Sequence, residues 1–254
     1  MTEEKYNASW YEQALLKIEE CGRVSHKSEG RIKPGSAEPF VRKIALKYGH
    51  GSILEHASFT ACFIGSRSMS HQLVRHRLAA YTQESQRYCD YSDPDQDPDE
   101  GTEQRLKIVP HRGLKGEYPT GTKIDVLPDP AVVLHVMGGR YHDDDVDHLV
   151  SCGYAYRAYQ QDRERGVKAE DAREVLPNAT KTEVYTTFNI RQWRHFFRMR
   201  LDSHAQWQIK MLGAAVFCHW AEFAPLFIEN LQSHSGEPLT PETVKPLLNP
   251  YPQP

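Results

Sequence analysis

The sequence predicts an α+β fold, a single domain in which long helices flank a central, mostly antiparallel sheet. Two runs, 59–63 and 180–190, alternate β-branched or aromatic residues with others, as half-buried strands do. Stretches with helical periodicity lie around them, the longest at 146–165 and in the segment that leads to Trp220. We find no internal repeat and no long linker, so we expect one domain over residues 1–254.

Composition narrows the class of protein. The chain has 31 Lys and Arg against 34 Asp and Glu, so it lacks the global positive field of a non-specific nucleic-acid binder. Its five cysteines are scattered and odd in number, which argues against a disulfide framework and favours a reducing compartment. No apolar run approaches the length of a membrane span, and the polar start does not resemble a signal peptide. We expect a cytoplasmic protein with no membrane and no nucleic-acid partner.

The first third of the chain carries signals for helix starts and ends. Ser9 and Glu12 form a capping-box pattern for a first helix that Gly22 should end. A second helix is expected over 38–48, between a capping Ser36 and a terminating Gly49. Residues 67–74 should return from the first strand as a helix. The second helix should bury one face, which carries Val41, Ile44, Ala45 and Tyr48.

Further helices are predicted in the second half. The helix at 146–165 should end at Gly166, and a shorter one at 169–176 should stop before Pro177. Asn189 is placed to cap a helix that brings aromatic residues to the core. Asp202 or Ser203 should cap the long apolar helix that follows, and residues 246–254 should form an irregular tail. The predicted core aromatics of the helix after Asn189 are Trp193, Phe196 and Phe197.

An acidic, proline-rich excursion at about 90–128 interrupts this pattern. The segment 93–97 resembles the start of a calcium loop, but Pro98 stands where that loop needs glycine and Gln104 where it needs glutamate. We therefore reject calcium there, and we expect a small hairpin from strands near 107–109 and 123–126. The residues 142–148 offer possible metal ligands, but their spacing matches no closed zinc site and their aspartates suit the first turn of a helix. We expect no metal.

The segment 72–87 is the strongest candidate for binding an anion. Arg75, Arg77 and Arg87 each offer a guanidinium fork that suits phosphate or carboxylate. His76 could donate to the same ligand or shuttle a proton near neutral pH. Because these side chains cannot all face one way on a helix or strand, we expect a bend, which the interleaved Leu73, Val74 and Leu78 should anchor in the core. The alternative is a solvated basic face.

These residues assemble into a resemblance to a known family. The pattern Arg75-His76-Arg77, seven residues and Ser85 resembles the signature of the flavin-dependent thymidylate synthases, the ThyX family. Further stretches resemble that family in the same order along most of the chain. They are His50-x-Ser52-x-x-Glu55-His56, Ala172-Arg173-Glu174-Val175-Leu176-Pro177, Asn189-x-Arg191, and Leu201-Asp202-Ser203-His204-Ala205-Gln206-Trp207 just after Arg200.

The resemblance implies an activity and two sets of binding residues. The activity is reductive methylation of dUMP to dTMP, with 5,10-methylenetetrahydrofolate as carbon donor, FAD as hydride carrier and NADPH as reductant. It also implies a homotetramer with shared active sites. The implied FAD residues are Ser52, Arg75, His76, Arg77, Glu84, Asn189, Arg191 and His195. The implied dUMP residues are Gln72, Leu73, Val74, Arg75, Glu84, Ser85, Gln86, Arg87, Arg173 and Arg200.

Arg200 is the predicted catalytic residue. A guanidinium against the N3 and O2 edge of uracil favours the ionised ring and raises electron density at C5, which must attack the methylene carbon. Its alternative roles are a salt bridge to Asp202 or a cation at a helix end. Ser85 has no recognisable base, and no cysteine lies in a stretch like the catalytic one of flavin-free thymidylate synthases. The resemblance therefore implies no cysteine nucleophile, since the flavin replaces covalent activation.

Departures and rival interpretations remain open. Ala80 and Thr82 stand where many family members have serine and asparagine, and His195 where some have asparagine. Asn189 and Arg191 have a local alternative, as a helix cap and an exposed side chain of the first turn. A phosphohistidine enzyme is a weak rival, because it would need glycine after the Arg-His pair. A nucleic-acid-binding module is the other, with Tyr81 and Tyr88 as stacking platforms.

Overall fold

The computed structural model describes residues 9–92, 107–109, 124–125 and 145–249. Its strands are β1 (Ser58–Ser66), β2 (Ala79–Gln83), β3 (Lys107–Ile108), β4 (Ile124–Asp125) and β5 (Lys181–Asn189). A three-stranded antiparallel sheet has the order β1-β5-β2. Two backbone hydrogen bonds flank the pairing of β1 with β5. At one end Ile190 N donates to Ala57 O (3.0 Å), and at the other Arg67 N donates to Thr180 O (2.9 Å). The predicted α+β fold and antiparallel sheet are confirmed.

The helices account for most of the remaining described residues. The α-helices are α1 (Trp10–Val24), α2 (Ala37–Val41), α3 (Arg67–Leu73), α4 (Val146–Glu164), α5 (Ala169–Ala172), α6 (Ile190–Arg200), α7 (Trp207–Phe223) and α8 (Pro241–Val244). Short 3-10 helices cover Glu29–Arg31, Gly51–His56, Arg173–Val175, Pro225–Ile228 and Lys245–Leu248, and a π-helix covers Arg42–Lys47. No helix of the described residues is long and apolar enough to cross a membrane.

The described chain divides into two compact units, and each strand of the three-stranded sheet contributes residues to both. The first unit holds residues 9–62, 75–81 and 185–249. The second holds 63–74, 82–92, 107–109, 124–125 and 145–184. The single domain expected over 1–254 stays a prediction.

Aromatic side chains form the core of the first unit. Trp193 and Trp220 are fully buried with ring centroids 5.7 Å apart, and Phe197 lies edge-on to Trp220 at 5.5 Å. The indole of Trp193 donates to Phe59 O (3.0 Å), so its one polar atom is satisfied inside the core. Packing of this kind fixes α6 against α7 and confirms the three core aromatics predicted for α6, namely Trp193, Phe196 and Phe197.

The second unit has a separate core built on α4. Leu149, Tyr156 and Tyr159 of α4 are buried together with Tyr91 and Ile108. The hydroxyl of Tyr156 donates to Tyr91 O (2.6 Å), so the few described residues of the excursion are tied to α4. β3 pairs antiparallel with β4, with Lys107 opposite Asp125, as expected for the hairpin. The rejected calcium loop, residues 142–144 and residues 250–254 lie outside the described residues.

The capping box of α1 is confirmed, but its end is not. Ser9 N donates to Glu12 Oε2 (2.8 Å), and the Ser9 hydroxyl accepts from Glu12 N (3.4 Å). The helix continues past Gly22 to Val24, so Gly22 is not the stop. A Cβ at Gly22 would lie 2.8 Å from the Phe40 ring, so glycine serves close packing at this point.

The predicted helix over 38–48 is divided into α2 and the π-helix. Ser36 does not cap it with its side chain, because that hydroxyl donates to the fully buried Glu19 (2.8 Å). A π-turn takes one residue more than an α-turn and so changes the angular positions of the side chains that follow. Tyr48, expected on the buried face, is accordingly exposed. Gly49 ends the segment with φ +77°, as predicted.

Two further differences concern α7 and β2. Gln206 caps α7 by accepting from Gln208 N (3.0 Å) and Ile209 N (3.1 Å), so neither Asp202 nor Ser203 is the cap. Asp202 is unavailable because its carboxylate accepts from the backbone of His204 and Ser235. β2 was not predicted, because its sequence lacks a strong strand pattern. It forms a strand because it pairs with β5.

Smaller boundary changes affect the other helices. The helix expected over 169–176 is α5 followed by the 3-10 helix Arg173–Val175. The tail expected to be irregular begins with the 3-10 helix Lys245–Leu248. The alternation of β5 and the end of α4 before Gly166 are as predicted. Four side chains of β5 are buried on one face, Thr182, Val184, Thr186 and Phe188.

Candidate active site

His76 and Arg200 form the centre of the site in the first unit. The chain bends between α3 and β2, as predicted, with Leu78 in the left-handed region at φ +61°. His76 is only 6% exposed and packs against Phe196, with ring centroids 5.1 Å apart. Its Nε2 accepts a hydrogen bond from Arg200 Nε over 2.8 Å. The last residue of α6 is thus joined to the bend.

This contact defines the protonation of His76. Burial, followed by the charges of Arg200 and His195, lowers the pKa of His76 to about 4, so the imidazole is neutral at neutral pH. Because Nε2 accepts from Arg200, the ring proton lies on Nδ1. The side-chain nitrogen Nε2 of Gln192 lies 3.5 Å from Nδ1, and turning the amide over places its oxygen there to accept that proton. A neutral base therefore orients the guanidinium without cancelling its charge.

The bend places the sequence neighbours of His76 on the surface. Arg75 and Arg77 are both exposed, on either side of the buried His76. Leu73 is fully buried, whereas Leu78 is 79% exposed, so the prediction that Leu78 anchors the segment is wrong. A left-handed backbone directs it away from the core. Tyr81 donates its hydroxyl to His76 O (2.8 Å) and further fixes the bend.

The other predicted FAD residues of the first unit lie at or near the start of α6. Asn189 Oδ1 accepts from Gln192 N (2.8 Å), so the predicted cap is confirmed. Arg191 is exposed and its Nη1 pairs with Glu55 Oε1 at 2.6 Å. His195 is exposed with its ring centroid 5.9 Å from that of His76. The structure therefore shows the local roles of Asn189 and Arg191, and their FAD roles stay predictions.

Ser52 is exposed and lines a large groove in the first unit. The groove has a volume of about 1390 Å³, above the roughly 300–1,000 Å³ of common small-molecule pockets. Four cations line it, and none of the described residues that line it is acidic. The aromatic rings of Phe40 and Tyr48 also line it. The cations are Arg23, Arg31, Lys33 and Lys43.

Glu84 lies in a network of the second unit. Its Oε1 accepts from the Tyr91 hydroxyl (2.5 Å) and its Oε2 from Lys181 Nζ (3.1 Å). Burial, followed by the charge of Glu84, raises the pKa of Tyr91, so the phenol stays protonated. Burial alone would lower the pKa of Lys181, but its bonds to Glu183 and Glu84 keep it above the ordinary value. Glu84 is thus held in place by an internal cation and a phenol.

Two of the predicted dUMP residues meet in a cavity of about 320 Å³ in the second unit. Gln86 and Arg173 both line it. Arg87 follows Gln86 in the sequence, and its Nε pairs with Glu170, another lining residue, at 2.6 Å. Ser85 Oγ accepts from Arg87 N (3.2 Å), which gives it a structural role and no base. Gln72 and Val74 are half-buried, and any contact of the fully buried Leu73 with a ligand would be through its backbone.

Several residues of these clusters were missed by the sequence reasoning. Gln192, at spacing of four and eight from Phe196 and Arg200, lies on the same helix face, and that spacing could have indicated it. Tyr91 and Lys181 meet Glu84 only through the tertiary structure, and no sequence pattern indicated them. Within the described residues, no group of three or more His, Cys, Asp or Glu could hold a metal ion.

The fold and these clusters describe an α+β protein with cationic side chains around a groove and a small cavity. Residues 9–226 match the family model described as thymidylate synthase complementing protein. Proteins named flavin-dependent thymidylate synthase are 36% identical over 190 residues in Pyrococcus furiosus and 38% over 184 in Geobacter sulfurreducens. The Thermococcus kodakarensis protein of that name is 33% identical over 225 residues. The chain therefore belongs to the flavin-dependent thymidylate synthase family.

The coverage of these alignments differs between the chains. The Pyrococcus furiosus alignment covers 74% of this chain and 64% of the relative, and the Geobacter sulfurreducens alignment covers 72% and 64%. The Thermococcus kodakarensis alignment covers 84% of this chain and 78% of the relative. This chain thus covers just under two thirds of the length of the first two relatives.

Proposed function

We propose that the chain catalyses the reductive methylation of dUMP to dTMP, with 5,10-methylenetetrahydrofolate as carbon donor, FAD as hydride carrier and NADPH as reductant. Membership of the family supports this proposal. The structural observation that carries it is the hydrogen bond between Arg200 and the neutral His76. This hydrogen bond holds the planar, charged guanidinium of Arg200 in a defined orientation. The bend that carries His76 also presents the exposed Arg75 and Arg77.

The groove of the first unit fits the chemistry of FAD. FAD is an anionic dinucleotide with two flat ring systems, and the groove offers cations, aromatic rings and the predicted residue Ser52. Arg75, His76, Arg77, Glu84, Asn189, Arg191 and His195 are the other residues proposed to hold it. When bound, the flavin supplies the hydride that reduces the transferred carbon to a methyl group.

Arg200 is proposed to activate the uracil ring. Its planar guanidinium can donate to the N3 and O2 edge, which stabilises negative charge as it develops on the ring. Burial lowers the pKa of Arg200, yet a guanidinium stays protonated at any working pH. Because Arg200 Nε donates its hydrogen bond to His76, the two terminal nitrogens of the guanidinium point in other directions. The fixed orientation spares a reorganisation step when the charge forms.

No cysteine is proposed as nucleophile. Burial raises the pKa of Cys152 to about 11 and raises the pKa of Cys89 and Cys218 above the ordinary value. These three thiols are therefore protonated at neutral pH. Cys62 is exposed, so burial does not restrain its reactivity. Single serine replacements at all five cysteines test whether any of them is needed for catalysis. We expect measurable dTMP formation from each, and a folded, flavin-loaded variant with none would reopen covalent catalysis.

The remaining partners are proposals on the same basis. The homotetramer with shared active sites and the use of NADPH come from the family resemblance, and the cytoplasmic location stays a prediction. The nucleic-acid-binding rival is weakened at one of its two stacking residues, because the Tyr81 ring is half-buried and lies edge-on to Phe188 with centroids 6.0 Å apart. Tyr88 is exposed, with Arg87 over its ring at 5.3 Å.

The decisive experiment is product analysis. The purified chain, loaded with FAD, is incubated with dUMP, 5,10-methylenetetrahydrofolate and NADPH, and dTMP is measured by chromatography with mass detection. Omission of each component in turn is the control. We expect dTMP only in the complete mixture. A colourless protein that shifts oligonucleotides, or NADPH oxidation without any dTMP, would reject the proposal.

A further inference from the structure

The chain continues from β2 into a single turn, residues 85–89, that carries three of the predicted dUMP residues. They are Ser85, Gln86 and Arg87. Tyr88 N (3.2 Å) and Cys89 N (2.8 Å) both donate to Ser85 O, which gives the turn its shape. One isolated turn is weak on its own, because it fixes several backbone dihedrals for one or two hydrogen bonds. The shape of the 85–89 turn therefore depends on how its two ends are held.

The first end of the turn is fixed to the sheet and to the residue that follows the second end. Glu84 N donates to Glu183 O (2.9 Å), which continues the pairing of β2 with β5. Across the turn, the Tyr91 hydroxyl donates to Glu84 Oε1 (2.5 Å). Glu84 and Tyr91 thus close a loop that contains the turn and Asp90.

Asp90 joins the second end of the turn to α4. Arg163 of α4 donates to Asp90 Oδ2 through both Nε (3.1 Å) and Nη2 (2.6 Å). The other carboxylate oxygen, Oδ1, accepts from the Tyr159 hydroxyl (3.0 Å) and from Ser92 N (2.9 Å). Two side chains of α4 therefore hold one carboxylate, which lies directly after the turn.

The pair of Asp90 and Arg163 is charged at neutral pH. Burial alone would raise the pKa of Asp90, but the bonds from Arg163, Ser92 and Tyr159 keep it well below its ordinary range. The bond to Asp90 raises the pKa of Arg163. The two side chains are 35% and 26% exposed, so the ion pair contributes little to overall stability. Its main effect is on geometry, because it restricts where the turn can lie.

We propose that Asp90 and Arg163 are positioning residues of the nucleotide site, which hold the 85–89 turn against α4 so that Gln86 and its neighbours meet dUMP in a fixed geometry. Neither residue has to touch the nucleotide. Naming dUMP as the ligand rests on the proposed function. Side chains that bind a ligand need support from a second layer of contacts, and a displacement of about 1 Å can reduce function by as much as about 100-fold.

The variant Asp90→Asn tests this role, because it keeps the size of the side chain and removes the charge that holds Arg163. We expect the FAD-loaded variant to bind dUMP about 10-fold more weakly in a calorimetric titration, with bound flavin per chain unchanged. Hydrogen exchange of the peptide 85–92, followed by mass spectrometry, should be faster than in the parent. The matched control is Asp162→Asn, at another acid of α4, which pairs with Arg165 at 3.2 Å. It should change neither measurement.

A double-mutant cycle with Gln86→Ala tests whether Asp90 acts through the turn. In the parent, Gln86→Ala removes a contact that the turn holds in place, so dUMP affinity should fall. In the Asp90→Asn background the same change should cause a smaller fold-loss, because the contact is already misplaced. Gln86 is uncharged, so this coupling does not come from a charge pair with Asp90. Equal fold-losses in the two backgrounds would overturn the inference.

The outcomes separate this inference from the proposed function. Unchanged dUMP affinity or unchanged exchange of the peptide 85–92 in Asp90→Asn overturns the inference and leaves the proposed function in place. A parallel loss of flavin and of dUMP affinity indicates a general structural role and also overturns it. A parent that neither binds dUMP nor forms dTMP rejects the proposed function and this role with it. If Asp90→Asn does not fold, Arg163→Gln breaks the same ion pair from α4 and replaces it, with the same expected results.

Discussion

Arg200 Nε donates to His76 Nε2 over 2.8 Å, although the two residues are 124 positions apart in the chain. One is the last residue of α6 and the other lies in the bend before β2. The bond requires a neutral imidazole, which burial and the Arg200 charge both favour. The residue predicted to activate the substrate is thus oriented by a residue predicted to hold the flavin.

Removal of His76 or Arg77 should reduce flavin retention. Each of His76→Ala and Arg77→Ala should lose a polar or charge-assisted contact of about 1–3 kcal/mol. His76→Ala also leaves Arg200 Nε without its acceptor, so we expect the larger effect there. The measurement is bound flavin per chain after gel filtration, by absorbance. Lys47→Ala, at an exposed lysine outside the groove lining, is the control, and parental flavin content in both test variants would contradict the assignment.

Arg200→Lys should separate the two half-reactions. Lysine keeps the charge but loses the planar fork and the Nε donor that reaches His76. We expect dTMP formation to fall steeply while NADPH still reduces the flavin. Stopped-flow absorbance follows flavin reduction, and product analysis follows turnover. If reduction is lost together with turnover, Arg200 acts on the flavin and not on the nucleotide.

The depressed pKa of His76 predicts a pH dependence of stability. A histidine with a folded pKa of about 4 and an unfolded pKa near 6.5 takes up its proton mainly in the unfolded chain between those values. The free energy of unfolding therefore falls as pH is lowered from about 6.5 to about 4, and this contribution is flat above that window. In His76→Gln the fall should be smaller. Urea titrations across the window measure it, and identical slopes for parent and variant would show that His76 is not buried as a neutral base.

Gly22→Ala should destabilise the first unit. An added Cβ would lie 2.8 Å from the Phe40 ring and 3.3 Å from Ile53. Overpacking of this kind costs about 1–3 kcal/mol. Gly30→Ala is the matched control, because no heavy atom lies within 4 Å of its added Cβ. Thermal unfolding of both variants gives their midpoint temperatures. Equal midpoints would contradict the prediction, because they would mean that α1 and Phe40 adjust to the added methyl group without a loss of stability.

Subunit mixing tests the proposed shared site. We expect Arg87 and Arg200 of one functional pocket to come from different chains, and each of Arg87→Ala and Arg200→Ala to be nearly inactive alone. After co-refolding at random, roughly a quarter of pockets regain both arginines, as the symmetry of an isologous interface requires. Activity should rise toward that ceiling. If activity does not recover although subunit exchange is verified, both arginines of a pocket come from one chain. That result would reject the shared site but not the proposed reaction.

The sequence by itself determined the features that depend on neighbours along the chain. The capping box at Ser9, the cap at Asn189, the alternation of β5 and the stop at Gly166 all follow from local spacing and backbone preference. The ordered family stretches belong here too, because they are read directly from residue identity. The family assignment was reached from them and is supported by the match over residues 9–226.

The tertiary structure decided which distant side chains meet. Local pattern favoured Asp202 as a cap, but the backbone of Ser235 engages its carboxylate and Gln206 caps α7 instead. In the same way Ser36 is drawn to Glu19, and β2 exists because β5 lies beside it. The hydrogen bond from Arg200 to His76 likewise joins residues 124 positions apart in the chain. Sequence periodicity cannot predict such a contact, because it is set by the packing of the folded chain.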